Sequence, residues 1–215
     1  MTIQLYGHPF AAFAWKPLIA AYERDVPFEF CMVDPDHAEN TSRMRELSPT
    51  GQFPALVDGD RTVTQSNAVI EYLDRIGSAP TMIPGDPDAA LNARMLAYVF
   101  DSYIAAPMQW IVAEALLPVN RQDADRVAEA KAYLDKSYAW LARHISQRWA
   151  IGEQFSIADC AAAPALFYAD WVHPIPEGTL KSYRSRLLEH RSIARVVNEA
   201  RPYRSFFPLG APDRD

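Results

Sequence analysis

Cysteine is scarce in this 215-residue chain: only Cys31 and Cys160 are present, far apart and without CxxC spacing. That scarcity excludes a disulfide framework and a dithiol redox centre, and both residues read as small buried hydrophobes. The histidines, His8, His37, His144, His173 and His190, show neither HxH nor HExxH spacing, so no metal centre is expected. No apolar run approaches the roughly 18 residues of a membrane span. The opening Met1-Thr2-Ile3-Gln4 has no charged leader followed by an apolar stretch, so a cytoplasmic protein is expected. Basic charge is also short, 21 Lys and Arg against 27 Asp and Glu for a formal charge of -6. That balance argues against nucleic acid or an anionic membrane as partner. Internal repeats and low-complexity tracts are absent. What is present is a hydrophobic content of 49%, enough for one domain or two small ones.

Ile3-Gln4-Leu5-Tyr6 reads as a strand, roughly Phe13 to Arg24 as a helix and Phe28 to Val33 as a second strand. A right-handed crossover makes those strands parallel. Pro17 leaves room for a later helix start, because it has no N–H and crowds the carbonyl of Phe13. Prolines 80, 84 and 87 with Gly85 mark a linker, giving a first domain over 1–79, a linker over 80–87 and a second domain over 88–215. Strand patterns disappear beyond the linker. Ala89 to about Leu117 reads as helix with a kink at Pro107, and Val127, Ala130, Leu134, Tyr138, Leu141 and Ile145 trace a further apolar stripe, so this half is a helix bundle. Ser156-Ile157-Ala158-Asp159 has the form of a capping box, which makes Asp159 structural. The tail Arg201 to Gly210 mixes proline, aromatics and arginine and cannot continue as a regular helix. Its aromatics are expected to pack onto the body, with cover over a ligand cleft as the alternative.

The most informative stretch runs from Phe53 to Leu73. Pro54 stands where a hydrogen-bonded strand should begin, which a cis bond and an unpaired Phe53 main chain would accommodate. Val57 to Arg61 supplies a hairpin turn and Thr62-Val63-Thr64 the returning strand, antiparallel to the first and added to the same sheet. Gln65 and Ser66 follow, and Val69, Tyr72, Leu73 and Ile76 fall at helical spacing until Gly77 and Pro80 stop the helix. Read singly, Ser66 caps a helix and Pro54 shapes a loop. Read in order, a rigid turn, a hairpin and a polar helix start outline a cradle for a small peptide-like anion.

On these residues, 3 to 76 resemble the N-terminal domain of the glutathione transferase family, and the Ser156–Asp159 box extends the resemblance over nearly the whole chain. The resemblance implies an α/β thioredoxin-like N-terminal domain with an all-α helical-bundle C-terminal domain, glutathione as co-substrate without a metal, a small apolar electrophile and a homodimer. It implies that the Phe53 main chain beside Pro54 bonds the cysteinyl part of glutathione. Gln65 and Ser66 would hold the γ-glutamyl group, Gln52 would reach the glycyl end, and Phe10 and Ala11 would complete the set. Phe10, Phe13, Tyr103, Met108 and Trp110 are the candidates for the wall around the second substrate, with interdomain core as the other role open to Phe13 and Trp110.

Glutathione's thiol resembles free cysteine, with a pKa of about 8.5, and lowering it by about two units takes roughly 2.7 kcal/mol. One hydrogen bond to a charged group contributes about 1.5–3 kcal/mol, a helix N-terminus alone about 0.3–1, so a hydroxyl donor matters most. Family members use a serine after the first strand, or a cysteine in the thiol-exchanging branches. Here Gly7 to Trp15 puts Ala11 or Ala12 at that place. The missing cysteine excludes glutaredoxin-like or dehydroascorbate-reductase-like exchange. Tyr6, at the end of the first strand, is the candidate catalytic phenol, with a buried or subunit-facing aromatic as its other role. His8 reads as a local hydrogen-bonding residue that could also lie near the thiol. The implied activity is slow conjugation of glutathione; the alternative is a non-catalytic glutathione-binding or protein-interaction member of the same fold.

Overall fold

The computed structural model describes residues 2–78, 80–146 and 148–215; Met1 and residue 79, the expected end of the first domain, lie outside them. The first half contains β1 (Ile3–Gly7), α1 (Ala12–Glu23), β2 (Phe28–Met32), α2 (Ala38–Leu47), β3 (Ala55–Asp58), β4 (Arg61–Thr64) and α3 (Ser66–Ile76). Its strands form one sheet in the order β2-β1-β3-β4. β1 and β2 are parallel with Ile3 opposite Phe28, β3 runs antiparallel to β1 with Leu5 opposite Leu56, and β4 returns antiparallel to β3. Gly59, at φ +58°, makes the tight turn between β3 and β4.

Strand alternation divides the sheet into two faces. Leu5 and Leu56 join Trp15, Leu18, Ile70 and Leu73 in the main core under α1 and α3. Tyr6 and Ala55 point the other way, against Cys31 and Met44. Helix α2 has no apolar stripe to read, since Met44 is its one buried residue, and periodicity therefore gives no signal for it. Gly77 closes α3 where only glycine fits, because an added Cβ would come 2.5 Å from Cβ of Arg24. The Arg24 guanidinium is buried, pairs with Asp74 at 3.0 Å and donates to the carbonyls of Asp74, Gly77 and Pro80. The Asp74 carboxylate in turn accepts from the N–H groups of Met82 and Ile83.

The second half is helical: α4 (Pro87–Val99), a π-helical segment (Phe100–Ala105), α5 (Ala106–Ala115), α6 (Ala124–His144), α7 (Ile157–Val172), α8 (Thr179–Glu189) and α9 (Arg191–Ala200), with 3₁₀ turns at Val119–Arg121 and Arg201–Phe206. Helix α4 begins inside the expected linker, because Asp86 caps it by accepting from Ala89 N–H at 2.8 Å and Pro87 supplies its first residue. At Pro107 the helix carries a widened turn. The proline has no N–H and its ring crowds the preceding turn, and Ala106 N–H bonds the carbonyl of Asp101, five residues back. Helix α7 runs through the centre, its alanines letting α1, α4 and α8 pack closely around it. Asp159 is fully buried and accepts from Ala150 N–H and Ser156 N–H at 2.8 Å, Ser156 Oγ–H at 2.9 Å and Tyr183 Oη–H at 2.7 Å. Burial pushes its carboxyl up from the usual carboxylate range, and these donors oppose the shift. No helix among the described residues is long and apolar enough to cross a membrane.

Candidate functional site

Three chain segments enclose a cleft of about 570 Å³ on the first half, and α5 of the second half closes it with Gln109. The first segment is the approach to β3. The Phe53–Pro54 peptide bond is cis, and because β3 begins only at Ala55, the Phe53 main chain lies outside the sheet and bonds nothing among the described residues. Ser48, Thr50 and Gln52 line the same stretch.

The second segment is the start of α3. Gln65 is its N-cap residue, held at φ +68° and ψ 119°, a conformation that costs a side-chain-bearing residue on the order of 1–3 kcal/mol. Its side chain makes no capping bond. Ser66 is thus the first helical residue rather than the cap, and it lines the cleft although only 6% exposed. The first-turn N–H groups of a helix have no acceptor within it, and here they open beside the space that an anion could fill.

The third segment is the start of α1, where Ala11 is the N-cap and Ala12 the first helical residue, with no side-chain cap. The helix does not wait for Pro17, which sits inside it. Tertiary bonds hold the early start: Trp15 Nε1–H donates to the Pro9 carbonyl at 2.6 Å, and Tyr168 Oη–H, from α7, donates to the Phe10 carbonyl at 2.7 Å. Ala14 and Trp15 N–H both bond the Ala11 carbonyl, and the N–H groups of Ala12 and Phe13, at the cleft, have no acceptor among the described residues. Two helix N-termini therefore border one space. Among the described residues no Lys, Arg, His, Asp or Glu belongs to its lining, so what the lining offers an anion is main-chain dipoles and neutral donors.

Ala12 and Gln109 also line a second space, an apolar chamber of about 320 Å³. Met108, Val112 and Leu116 of α5 line it together with Phe10, Tyr168 and the tail residues Phe206, Phe207 and Pro208. Phe207 anchors the tail, 6% exposed with its ring 5.0 Å from Trp171, while Phe206 stays 64% exposed at the rim.

Of the residues singled out from the sequence, Ala11, Gln52, Phe53, Pro54, Gln65 and Ser66 come together in the cleft, joined by Phe13. Phe10 and Met108 lie in the chamber. Tyr103 and Trp110 are not brought to either space: they face outward against Tyr133, with ring centroids 6.0 and 6.3 Å away. Trp110 lies two residues, some 200° of helical turn, from Met108. Tyr6 is also apart. Alternation puts it on the α2 face of the sheet, where its hydroxyl donates to Gln4 Oε1 at 3.2 Å and burial raises its pKa. His8 accepts from Phe10 N–H at 3.1 Å and packs edge-on to Tyr203, and burial lowers its pKa. Sequence reasoning missed Val112 and Leu116, which continue the Met108 stripe at i+4 and i+8, and Gln109, for which no sequence signal exists. Among the described residues no group of three or more His, Cys, Asp or Glu is placed to hold a metal ion.

Residues 5–81 match the family model described as Glutathione S-transferase, N-terminal domain, and residues 124–191 match Glutathione S-transferase, C-terminal domain. The chain is 26% identical over 170 residues to a probable maleylacetoacetate isomerase of Caenorhabditis elegans, covering 77% of this chain and 78% of that one. It is 26% identical over 190 residues to a stringent starvation protein A homolog of Pasteurella multocida, covering 86% and 84%. A solved glutathione S-transferase of Methylobacillus flagellatus with glutathione bound has the same fold, with a TM-score of 0.79 at 21% identity over 91% of this chain and 98% of that one. Two domain matches in the family's own order, on a small mixed sheet followed by a helical bundle, place this chain in the glutathione S-transferase family.

Proposed function

We propose that the chain binds glutathione in the neutral cleft and joins its sulfur to a small apolar electrophile held in the adjoining chamber. The supporting observation is the meeting of two uncapped helix starts and an unpaired main-chain segment at a cleft that shares residues with an apolar space. The cysteinyl part pairs with the Phe53 main chain beside Pro54, the γ-glutamyl group rests on the start of α3 with Gln65 and Ser66, and Gln52 reaches the glycyl end. Ala11 borders the sulfur, which takes hydrogen bonds from the N–H groups of Ala12 and Phe13. Tyr6 has no part in this arrangement.

Main-chain donors have to activate the thiol alone. A helix N-terminus supplies about 0.3–1 kcal/mol, less than the roughly 2.7 kcal/mol behind a two-unit pKa shift. The bound thiol therefore titrates about half a unit below its free value of about 8.5, with slow turnover as the consequence. Following thiolate absorbance of bound glutathione against pH tests this, and an unshifted value removes the conjugating role. The absence of a side-chain donor at Ala11 and Ala12 favours a second reading, a glutathione-binding protein without turnover. Calorimetry showing binding, with conjugation no faster than in buffer, would establish that one.

The remaining assignments follow from the same reading. The first domain ends near residue 79 and the second begins near 88. The protein is a homodimer, to which the outward apolar residues Leu91, Met95 and Tyr98 of α4 lend support, and sedimentation tests it. The two free buried cysteines suit a reducing cytoplasm.

A further inference from the structure

The cleft and the chamber share two residues, Ala12 and Gln109. A sulfur at the start of α1 and an electrophile in the chamber therefore meet between a methyl group and a carboxamide. The chamber has little else that is polar. Met108, Val112, Leu116, Phe10, Phe206 and Phe207 are hydrocarbon or thioether, and the Tyr168 hydroxyl is spent on the Phe10 carbonyl at 2.7 Å. Gln109 is exposed, and no hydrogen bond within the described residues engages its carboxamide. Neither lining includes Lys, Arg or His, so no side-chain cation is at hand for a departing anion such as halide.

Resting on the transferase reading above, we propose that Gln109 is the specificity-determining donor of this site and that it selects electrophiles activated by a carbonyl, of the aryl-enone class. The thiol proton passes to water. The thiolate sulfur then bonds to the β-carbon of the enone, and the alkene electron pair moves through the conjugated system to leave an enolate oxygen. Gln109 Nε2–H donates to that oxygen as its charge grows. The α-carbon finally takes a proton from water, so the net reaction is addition of S–H across the double bond, with no leaving group and no oxidant. A neutral carboxamide suits an oxygen that gains charge while staying attached to the ligand.

The test compares wild type, Gln109→Leu and the uncharged, similarly long Gln109→Met with two electrophiles: 4-phenylbut-3-en-2-one, and benzyl chloride, which has no acceptor oxygen. Both variants should lose about tenfold in kcat/KM for the enone and less than about twofold for the chloride. Equal losses with both compounds, or no loss, overturn the assignment. Equilibrium dialysis of the unreactive 4-phenylbutan-2-one and of butylbenzene, with and without glutathione, decides the same point without turnover. In Gln109→Leu the ketone should bind about fivefold more weakly and the hydrocarbon no more weakly; a ketone affinity that does not change rejects the role. If glutathione itself fails to bind, the transferase reading falls, and the dialysis without glutathione still answers for Gln109.

Discussion

The start of α7 and the starts of α1 and α3 are the same kind of structure treated in opposite ways. At α7, the Ser156–Asp159 box brings four donors onto one buried carboxylate and leaves no opening for a ligand. At α1 and α3 the caps are Ala11 and Gln65, whose side chains make no capping bond, and both starts face the cleft. Every helix must find partners for its first N–H groups. In this protein the buried helix finds them within the chain and the two cleft helices leave them open, so the first cap bears on folding and the other two are the ones proposed to bind a ligand.

Removing the closed cap should have the largest effect. Asp159→Ala leaves four donors without an acceptor, each worth about 1–3 kcal/mol when stranded, and a net loss of about 3 kcal/mol or more is expected in urea unfolding. A loss below about 1 kcal/mol would break the contrast. Ser66→Ala acts on an open start and should do the reverse, weakening glutathione binding about tenfold by calorimetry, or about 1.4 kcal/mol, while stability moves by less than about 0.5 kcal/mol. Closing the other open start with Ala11→Ser should add about 1 kcal/mol of helix capping. The same hydroxyl should lower the bound thiol's pKa and speed conjugation several-fold; stabilisation without any change in the thiol would show that the α1 start is not where the sulfur rests. The smallest expected effect is that of salt. With no ionisable side chain in the cleft lining, raising ionic strength from about 0.05 to 0.5 M should change glutathione affinity less than threefold, and a steep dependence would point to a charged side chain as the true anchor.

Much of this is legible in the sequence. The order of Pro54, the hairpin and Gln65-Ser66 located the cleft, because each of those residues acts through local backbone geometry. The Ser156–Asp159 box was legible for the same reason. Other features were hidden. Helix α2 buries one side chain and so leaves no periodic trace. The early start of α1 runs against the proline rule because Trp15 and Tyr168 hold the preceding loop from outside. Tyr103 and Trp110 had suitable chemistry for the chamber but the wrong side of their helix, and Tyr6 the wrong face of its strand.

By itself, then, the chain's amino-acid order determined the family, the sheet and bundle division and the polar cleft, since turns, caps and apolar stripes are short-range and can be read along the backbone. Tertiary structure alone decided which side chains meet at the seam between the cleft and the apolar space. Gln109 and Phe207 come from a distant helix and from the tail, and they reach the same space as Phe10 only after packing around α7 has oriented each element.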